Sequence, residues 1–424
     1  MILIKNLLLW FSLLGSVAVN AADYVIAGKL LDVRSGSMLS DQVLTIEEGR
    51  ITQLSNKVDT SIPQGASVLD LSEYFVTPGF MDAHVHLHGS AKVHGYNNLG
   101  LSQPTKTLWG VVNARKTLEA GFTTVRMVGA PGFADVALRD MINNGELAGP
   151  RILAAGPSIG ITGGHCSDNN LMPYDKESVG AGVADGPWAM RAIVRRNIKF
   201  GADLIKTCST GGVLSKGTEV GAPQSTVEEL TAIVEEAHSH GRKVASHAHG
   251  ATGIKNALRA GVDSIEHSSF IDDEGIHLAK KTGAYLVMDI YNTEYILGEG
   301  AKAGILEESL AKERRTGATQ RANFEKAHKA GVKMAFGTDA GVYPNGDNAK
   351  QFARMVRFGM TPIEAIRAAT LNTADLFGLS ADVGELSVGK FADLNAFPTN
   401  PLDDISVTEK PAFVLKGGQV ILSP

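Results

Sequence analysis

Apolar and polar positions along the chain fall into two regimes. Near the start, residues 24–27, 42–47, 50–54 and 67–70 form short β-like runs. They are separated by turn formers such as Glu48-Gly49-Arg50 and Pro63-Gln64-Gly65. Connections this short leave no room for crossover helices, so the spacing predicts a small antiparallel sheet. Residues 390–397, 412–415 and 419–422 read the same way, and the two ends are expected to form one satellite domain. Between them, strand-like runs near 76–84, 122–128, 151–155, 203–208, 243–248, 263–267, 284–289 and 333–338 alternate with helical patterns. The clearest of those cover 107–120, 188–200, 226–240, 250–260 and 318–330. Gly121, Gly201, Gly241, Gly261, Gly283 and Gly331 punctuate the helix ends, and Thr226-Val227-Glu228-Glu229 is a capping-box signature. Eight parallel strands with intervening helices predict an α/β fold, a (β/α)8 TIM barrel with a small β-sandwich built from both termini. A doubly wound open sheet is the alternative. The expected division is a signal segment at 1–21, the N-terminal sandwich part at 22–77, the barrel at 78–380 and the C-terminal sandwich part at 381–424.

Composition narrows the functional classes. The 424 residues carry 40 Lys+Arg against 45 Asp+Glu, a formal charge of -5, so nothing attracts a phosphate backbone and no nucleic-acid partner is expected. A hydrophobic fraction of 44% is enough to fill a large core, which excludes a disordered chain. Cys166 and Cys208 are the two cysteines, too few for a disulfide framework; free thiols are expected, with a single bridge left open. Lys5, the apolar run 7–19 and the small residues Val19 and Ala21 resemble a secretory signal cleaved before Ala22. The run is shorter than the roughly 20 residues of a spanning helix. A periplasmic or secreted bacterial location follows as an expectation, with an uncleaved anchor as the alternative.

The strongest chemical signal is Pro78-Gly79-Phe80-Met81-Asp82-Ala83-His84-Val85-His86. Residues i and i+2 of a strand point the same way, so His84 and His86 can grip one ion from a strand end. His247 and His249 close the fifth predicted strand, His267 the sixth, and Asp339 the eighth. Barrel active sites are assembled from the C-terminal ends of different strands, where all of these groups fall. An isolated His-x-His is a weak sign; the combination is strong.

Residues 24–86, 107–170 and 203–424 together resemble the amidohydrolase superfamily. The resemblance implies a binuclear centre held by His84, His86, Lys206, His247, His267 and Asp339, with two divalent ions, zinc in most members. It also implies that Lys206 is carboxylated, its carbamate bridging the ions; an unmodified ammonium would be repelled there. His165, in the glycine-rich segment Gly160–Cys166, would approach the scissile carbonyl oxygen, and His249 would contact the substrate near its carboxylate. His249 departs from the tyrosine of some prolidase-like relatives, which puts substrate choice in doubt. Asp339 would be the proton acceptor for a metal-bridging hydroxide and the donor to the leaving amine.

Residues 107–126, 288–295, 337–341 and 346–352 are similar to the zinc carboxypeptidases and dipeptidases that remove C-terminal Lys or Arg, within the prolidase and imidazolonepropionase branch. Short peptides ending in Arg or Lys are therefore the expected substrates. Asp289, at the end of the seventh predicted strand, can pair with a guanidinium or ammonium; Tyr291 joins it as a substrate contact, and Glu294 is the competing anion. Asp289 can equally support the metal shell. The alternatives are Xaa-Pro or hydrophobic dipeptide cleavage, an ochratoxin-type amidase acting on N-acyl amino acids, cyclic-amide hydrolysis as in imidazolonepropionase, and a non-catalytic periplasmic metal-binding protein. Relatives commonly self-associate, so a homo-oligomer is among the expectations.

Overall fold

Alternating apolar positions at both ends of the chain build one sheet. Its strands are β1 (Tyr24–Asp32), β2 (Ser37–Glu47), β3 (Arg50–Asn56), β4 (Val68–Pro78), β13 (Leu394–Phe397), β14 (Phe413–Lys416) and β15 (Gln419–Leu422), in the order β15-β14-β13-β4-β1-β2-β3. The strands between are β5 (Phe80–Val85), β6 (Phe122–Met127), β7 (Arg151–Ala154), β8 (Leu204–Cys208), β9 (Lys243–Ala248), β10 (Ser264–His267), β11 (Tyr285–Val287) and β12 (Met334–Ala335). This computed structural model describes residues 22–166, 171–176 and 179–424. The expected signal segment, 1–21, lies outside the described residues.

The terminal sheet departs from the expected all-antiparallel pairing, because β1 and β4 run parallel. The chain between β3 and β4 crosses back over the sheet, which lets β4 enter beside β1 and offer its other edge to β13. Val25, Leu30, Leu44, Ile51, Leu71, Leu394 and Leu415 fill the core of this satellite domain. Its seven strands thus unite the two ends of the chain, as the sandwich reading expects.

The eight inner strands pair in parallel, in two runs ordered β5-β6-β7 and β12-β11-β10-β9-β8. Two seams join the runs. The Ala83 amide donates to the Phe336 carbonyl at 2.8 Å, and Val85 and Ala340 form a parallel bridge. On the other side Ile159 pairs with β8, its amide donating to the Lys206 carbonyl at 2.8 Å and its carbonyl accepting from the Cys208 amide at 3.1 Å. The ring is closed, which rejects the open doubly wound alternative.

Element boundaries differ from the sequence expectation where the pattern is ambiguous. The predicted run 76–84 splits at Gly79, with Pro78 ending the satellite strand and Phe80 starting the barrel strand. A Cβ at Gly79 would lie 2.4 Å from Thr123 Oγ1, so only glycine allows this close passage between the two domains. The helix expected from 318 starts at Glu307, because its first turns are mostly polar and show no apolar stripe. The capping box forms, with Thr226 and Glu229 each bonding the other's backbone amide. Phe80, Phe122, Phe336 and Phe352 cluster and pack the helix Lys350–Arg357 against the strands. The C-terminal strand ends of the barrel carry the polar side chains.

Candidate metal centre

The C-terminal strand ends surround a cavity of about 740 Å³ lined by His84, His86, His165, Lys206, His247, His249, His267, Asp289 and Asp339. Their ligand atoms are close. His84, His267 and Asp339 form one group and His247, His249 and His267 another, each with ligand atoms within 4.8 Å of one another. His84 Nε2 and His86 Nε2 lie 3.4 and 3.2 Å from the same oxygen of Asp339.

Buried partners aim the imidazoles. His84 Nδ1 donates to Glu266 at 2.9 Å, His267 Nδ1 donates to Asp289 at 2.8 Å, and His86 Nδ1 reaches the Gly129 carbonyl at 3.3 Å. Each contact leaves Nε2 free as a metal donor, the tautomer that such supporting bonds select. Glu266 is in turn paired with the buried Arg126 at 2.8 Å, and Arg126 also donates to the Ala83 carbonyl on β5. Burial opposes ionisation of Glu266, but Arg126 and His84 outweigh it and hold the carboxyl well below its ordinary range. Asp289 further accepts from Asn292 at 2.8 Å and from Gln320 at 3.0 Å, and Asn292 bridges on to Asp339 at 3.2 Å.

His267 and Asp339 adopt left-handed backbone conformations, φ 70° and 56°. Such residues cost about 1–3 kcal/mol each and persist only where the surroundings over-determine them, commonly at functional sites. Here each turns the chain as it leaves a strand end and swings its side chain over the cavity.

Two orphaned atoms test whether a metal fits. Lys206 Nζ and His247 Nε2 are buried without a hydrogen-bond partner. Burial, with Arg126 nearby, lowers the Lys206 ammonium to about 8, against the pull of Glu266 and Asp339. An uncharged amine is the form that can take up carbon dioxide. An imidazole-rich donor set with carboxylate and two orphaned nitrogens fits divalent transition ions.

His165 stacks on His247 with ring centroids 4.1 Å apart, and its Nδ1 lies 2.9 Å from Ser215 Oγ. Burial, then His267 and Lys206, push its pKa down to about 3, so it is neutral at physiological pH. His249 Nδ1 bonds Ser269 Oγ at 2.7 Å and its ring faces the cavity.

Three sequence expectations need restatement. The cysteines are not free thiols: Cys166 and Cys208 form a disulfide, because the loop after β7 folds back over the end of β8 and brings their Cα atoms to 5.7 Å. Cys208 Sγ lies beside His165 and His247, but its bond to Cys166 removes it as a thiolate donor. Tyr291 does not line the cavity; it packs edge-on against Tyr343 with Arg354 over its ring. Glu294 is taken up by Arg354 and Arg321.

Sequence reading assigned no role to Glu266, Arg126, Asn292, Gln320, Ser215 or Glu313. Glu266 carried a signal in hindsight, since an acidic residue inside a fully buried barrel strand must have a partner. The others lie on different segments and show no local pattern. Among the described residues, no helix is long and apolar enough to cross a membrane.

A model of the amidohydrolase family matches residues 75–421. The chain is 33% identical over 426 aligned positions to the ochratoxinase of Aspergillus niger, covering 94% of this chain and 87% of that protein. A solved Xaa-Pro dipeptidase with methionine bound in its active site superposes with a TM-score of 0.89 at 39% identity, covering 94% of this chain and 98% of the other. A prolidase complexed with N-methylphosphonate-L-proline gives 0.87 at 29% identity, with coverage of 95% and 99%.

Proposed function

The chain belongs to the amidohydrolase family, and from that premise we propose that it is a binuclear zinc peptidase that cleaves the peptide bond before a C-terminal Arg or Lys in dipeptides or short peptides. The observation that carries the reading is the convergence of His84, His86, Lys206, His247, His267 and Asp339 on one cavity, with Lys206 Nζ and His247 Nε2 left unsatisfied. These six residues would hold the ions, with Lys206 as its carbamate. When bound, the ions supply a nucleophilic hydroxide at neutral pH and polarise the amide carbonyl.

The remaining steps belong to the chain's own residues. Asp339 is held ionised by His84 and His86 despite its burial, so its carboxylate can accept a proton as attack proceeds. Asn292 fixes the carboxylate through Oδ2 and leaves Oδ1 towards the histidines. Asp339 then returns the proton to the leaving amine. With Ser215 Oγ donating to Nδ1, neutral His165 keeps its proton on Nε2 and can donate to the developing oxyanion. His249, steadied by Ser269, supplies a polar contact for the substrate carboxylate. Asp289 serves this site through His267.

Support for peptides comes from the Xaa-Pro dipeptidase and prolidase likenesses. A second reading, an amidase for N-acyl amino acids with bulky acyl groups, is favoured by the ochratoxinase relationship and a cavity of about 740 Å³. A panel of Xaa-Arg, Xaa-Lys, Xaa-Pro and Xaa-Met dipeptides, with N-aroyl-phenylalanine alongside and metal analysis of the same preparation, separates them. Preferential release of Arg or Lys supports the first reading; preferential release of phenylalanine from the aroyl substrate replaces it with the second. The expected export rests on residues 1–21, and N-terminal sequencing of material from the native host should begin at or near Ala22.

A further inference from the structure

One buried carboxylate in the cavity has no part in the metal constellation. Glu313 lies in the helix Glu307–Lys329, is buried, and lines the cavity. Glu307, Glu308 and Glu325 on the same helix each pair with a basic residue, Arg314, Lys312 and Lys329. Glu313 has no ion-pair partner among the described residues. Arg321 lies close enough to influence it, but bonds Glu294 and the Ile290 carbonyl instead. The Thr293 hydroxyl is its polar neighbour.

The other acids at the cavity are engaged. Asp339 faces His84 and His86, and Asp289 is saturated by His267, Asn292 and Gln320. Burying an unpaired carboxylate is costly unless something cationic joins it. The helix also sets a distance. Glu313, Thr316 and Gln320, spaced i, i+3 and i+7, are the cavity-lining residues of this helix. Gln320 bonds the Asp289 that supports His267, so the Glu313 backbone stands seven residues, about 10 Å, along the helix from the level of the metal shell, and its carboxylate turns back to the level of Gly317. That shorter separation is within reach of a long basic side chain extending away from a scissile amide. Ile296 and Val342 line the same cavity and pack with Leu310, one turn before Glu313, into an apolar wall suited to an aliphatic stem. Gly317 lets Thr293 and the carboxylate pack closely on the helix, since a Cβ there would lie 2.4 Å from Thr293 Cγ2 and 2.9 Å from Glu313 Oε1.

We propose that Glu313 is the specificity-determining residue of this site and accepts the ammonium or guanidinium of a substrate Lys or Arg side chain. The inference rests on the peptidase reading above for its substrate class, and replaces Asp289 and Glu294 as the cation acceptor. It can be tested by binding, apart from turnover. Calorimetric titration of the metal-loaded protein at pH 8 would compare L-arginine with its neutral isostere L-citrulline, and L-lysine with L-norleucine. The expected result is at least tenfold tighter binding of each cation than of its neutral counterpart. In Glu313→Gln both ratios should fall to within threefold of one, while Glu313→Asp, which keeps the charge, should retain a ratio above that of Glu313→Gln. A parent protein that does not distinguish arginine from citrulline overturns the proposal even if no variant folds. Ratios that survive in folded Glu313→Gln overturn it as well. Dipeptide hydrolysis is read separately: discrimination between arginine and citrulline without any amide turnover would sustain the Glu313 subsite while rejecting the peptidase reading.

Discussion

Glu266 joins two parts of the barrel: one carboxylate oxygen lies 2.9 Å from Nδ1 of His84, and the other accepts from buried Arg126 at 2.8 Å. The geometry makes His84 a donor through Nδ1 and presents Nε2 to the cavity, so the carboxylate acts on metal affinity through the histidine. Glu266→Gln is expected to weaken metal binding on the order of 10–100-fold. Competition with a chelator, read as metal retained per chain, checks this. Retention equal to the parent would show that His84 is oriented by other contacts.

In the proposed two-ion centre, Lys206 would be the bridging position. Lys206→Met keeps the length of the side chain but cannot form a carbamate, so at most one firmly bound ion per chain is expected. Elemental analysis after desalting gives the count. Two ions retained in Lys206→Met would remove Lys206 from the ligand set.

The Cys166–Cys208 disulfide fastens the loop that carries His165 to the strand that carries Lys206. It closes a loop across a sequence separation of 42 residues, for which chain entropy gives about 4 kcal/mol. The double variant Cys166→Ser/Cys208→Ser should lose stability of that order in urea unfolding, and addition of a reductant should shift the parent's transition towards it. Coincident unfolding curves with and without reductant would mean that the bridge does not form in solution.

Burial raises the Glu313 carboxyl from 4.5 to about 7, with Asp289 adding to the shift and Thr293 and Arg321 opposing it. An unfolded glutamate releases its proton near 4.5, whereas the folded one holds it to about 7. The unfolded state is therefore increasingly favoured as pH rises through that window. Glu313→Gln lacks this ionisation, so its stability relative to the parent should improve between pH 5 and pH 8, by roughly 2–3 kcal/mol. Unfolding curves at the two pH values provide the comparison. A difference independent of pH would place an unsuspected cation beside Glu313.

Local pattern was sufficient for much of the architecture and for naming candidate ligands that the fold brings to one cavity. A strand of period two places His84 and His86 on one side, and the strand-then-helix rhythm locates Lys206, His247, His267 and Asp339 at or near strand ends, where a parallel barrel gathers its chemistry. Those properties depend on residues adjacent in sequence. A domain division is expected at 77/78, but the run 76–84 reads as one strand and the break at Gly79 was not legible, because an apolar run has no sign for where one domain's strand stops and the next begins.

What the tertiary structure decided are the contacts between segments far apart in the chain. Asp289 looks like a free anion at a strand end until His267, Asn292 and Gln320 occupy its oxygens. Cys166 and Cys208 look like separate thiols until the loop after β7 folds over β8. Glu294 sits among uncharged residues and Glu313 among basic ones in the sequence, yet packing gives Glu294 two arginines and turns Glu313 into a cavity without a cation. Hydrophobic periodicity fixes which face of an element is buried, but the partner of a buried charge is set by chain closure and packing. Those depend on the whole fold at once.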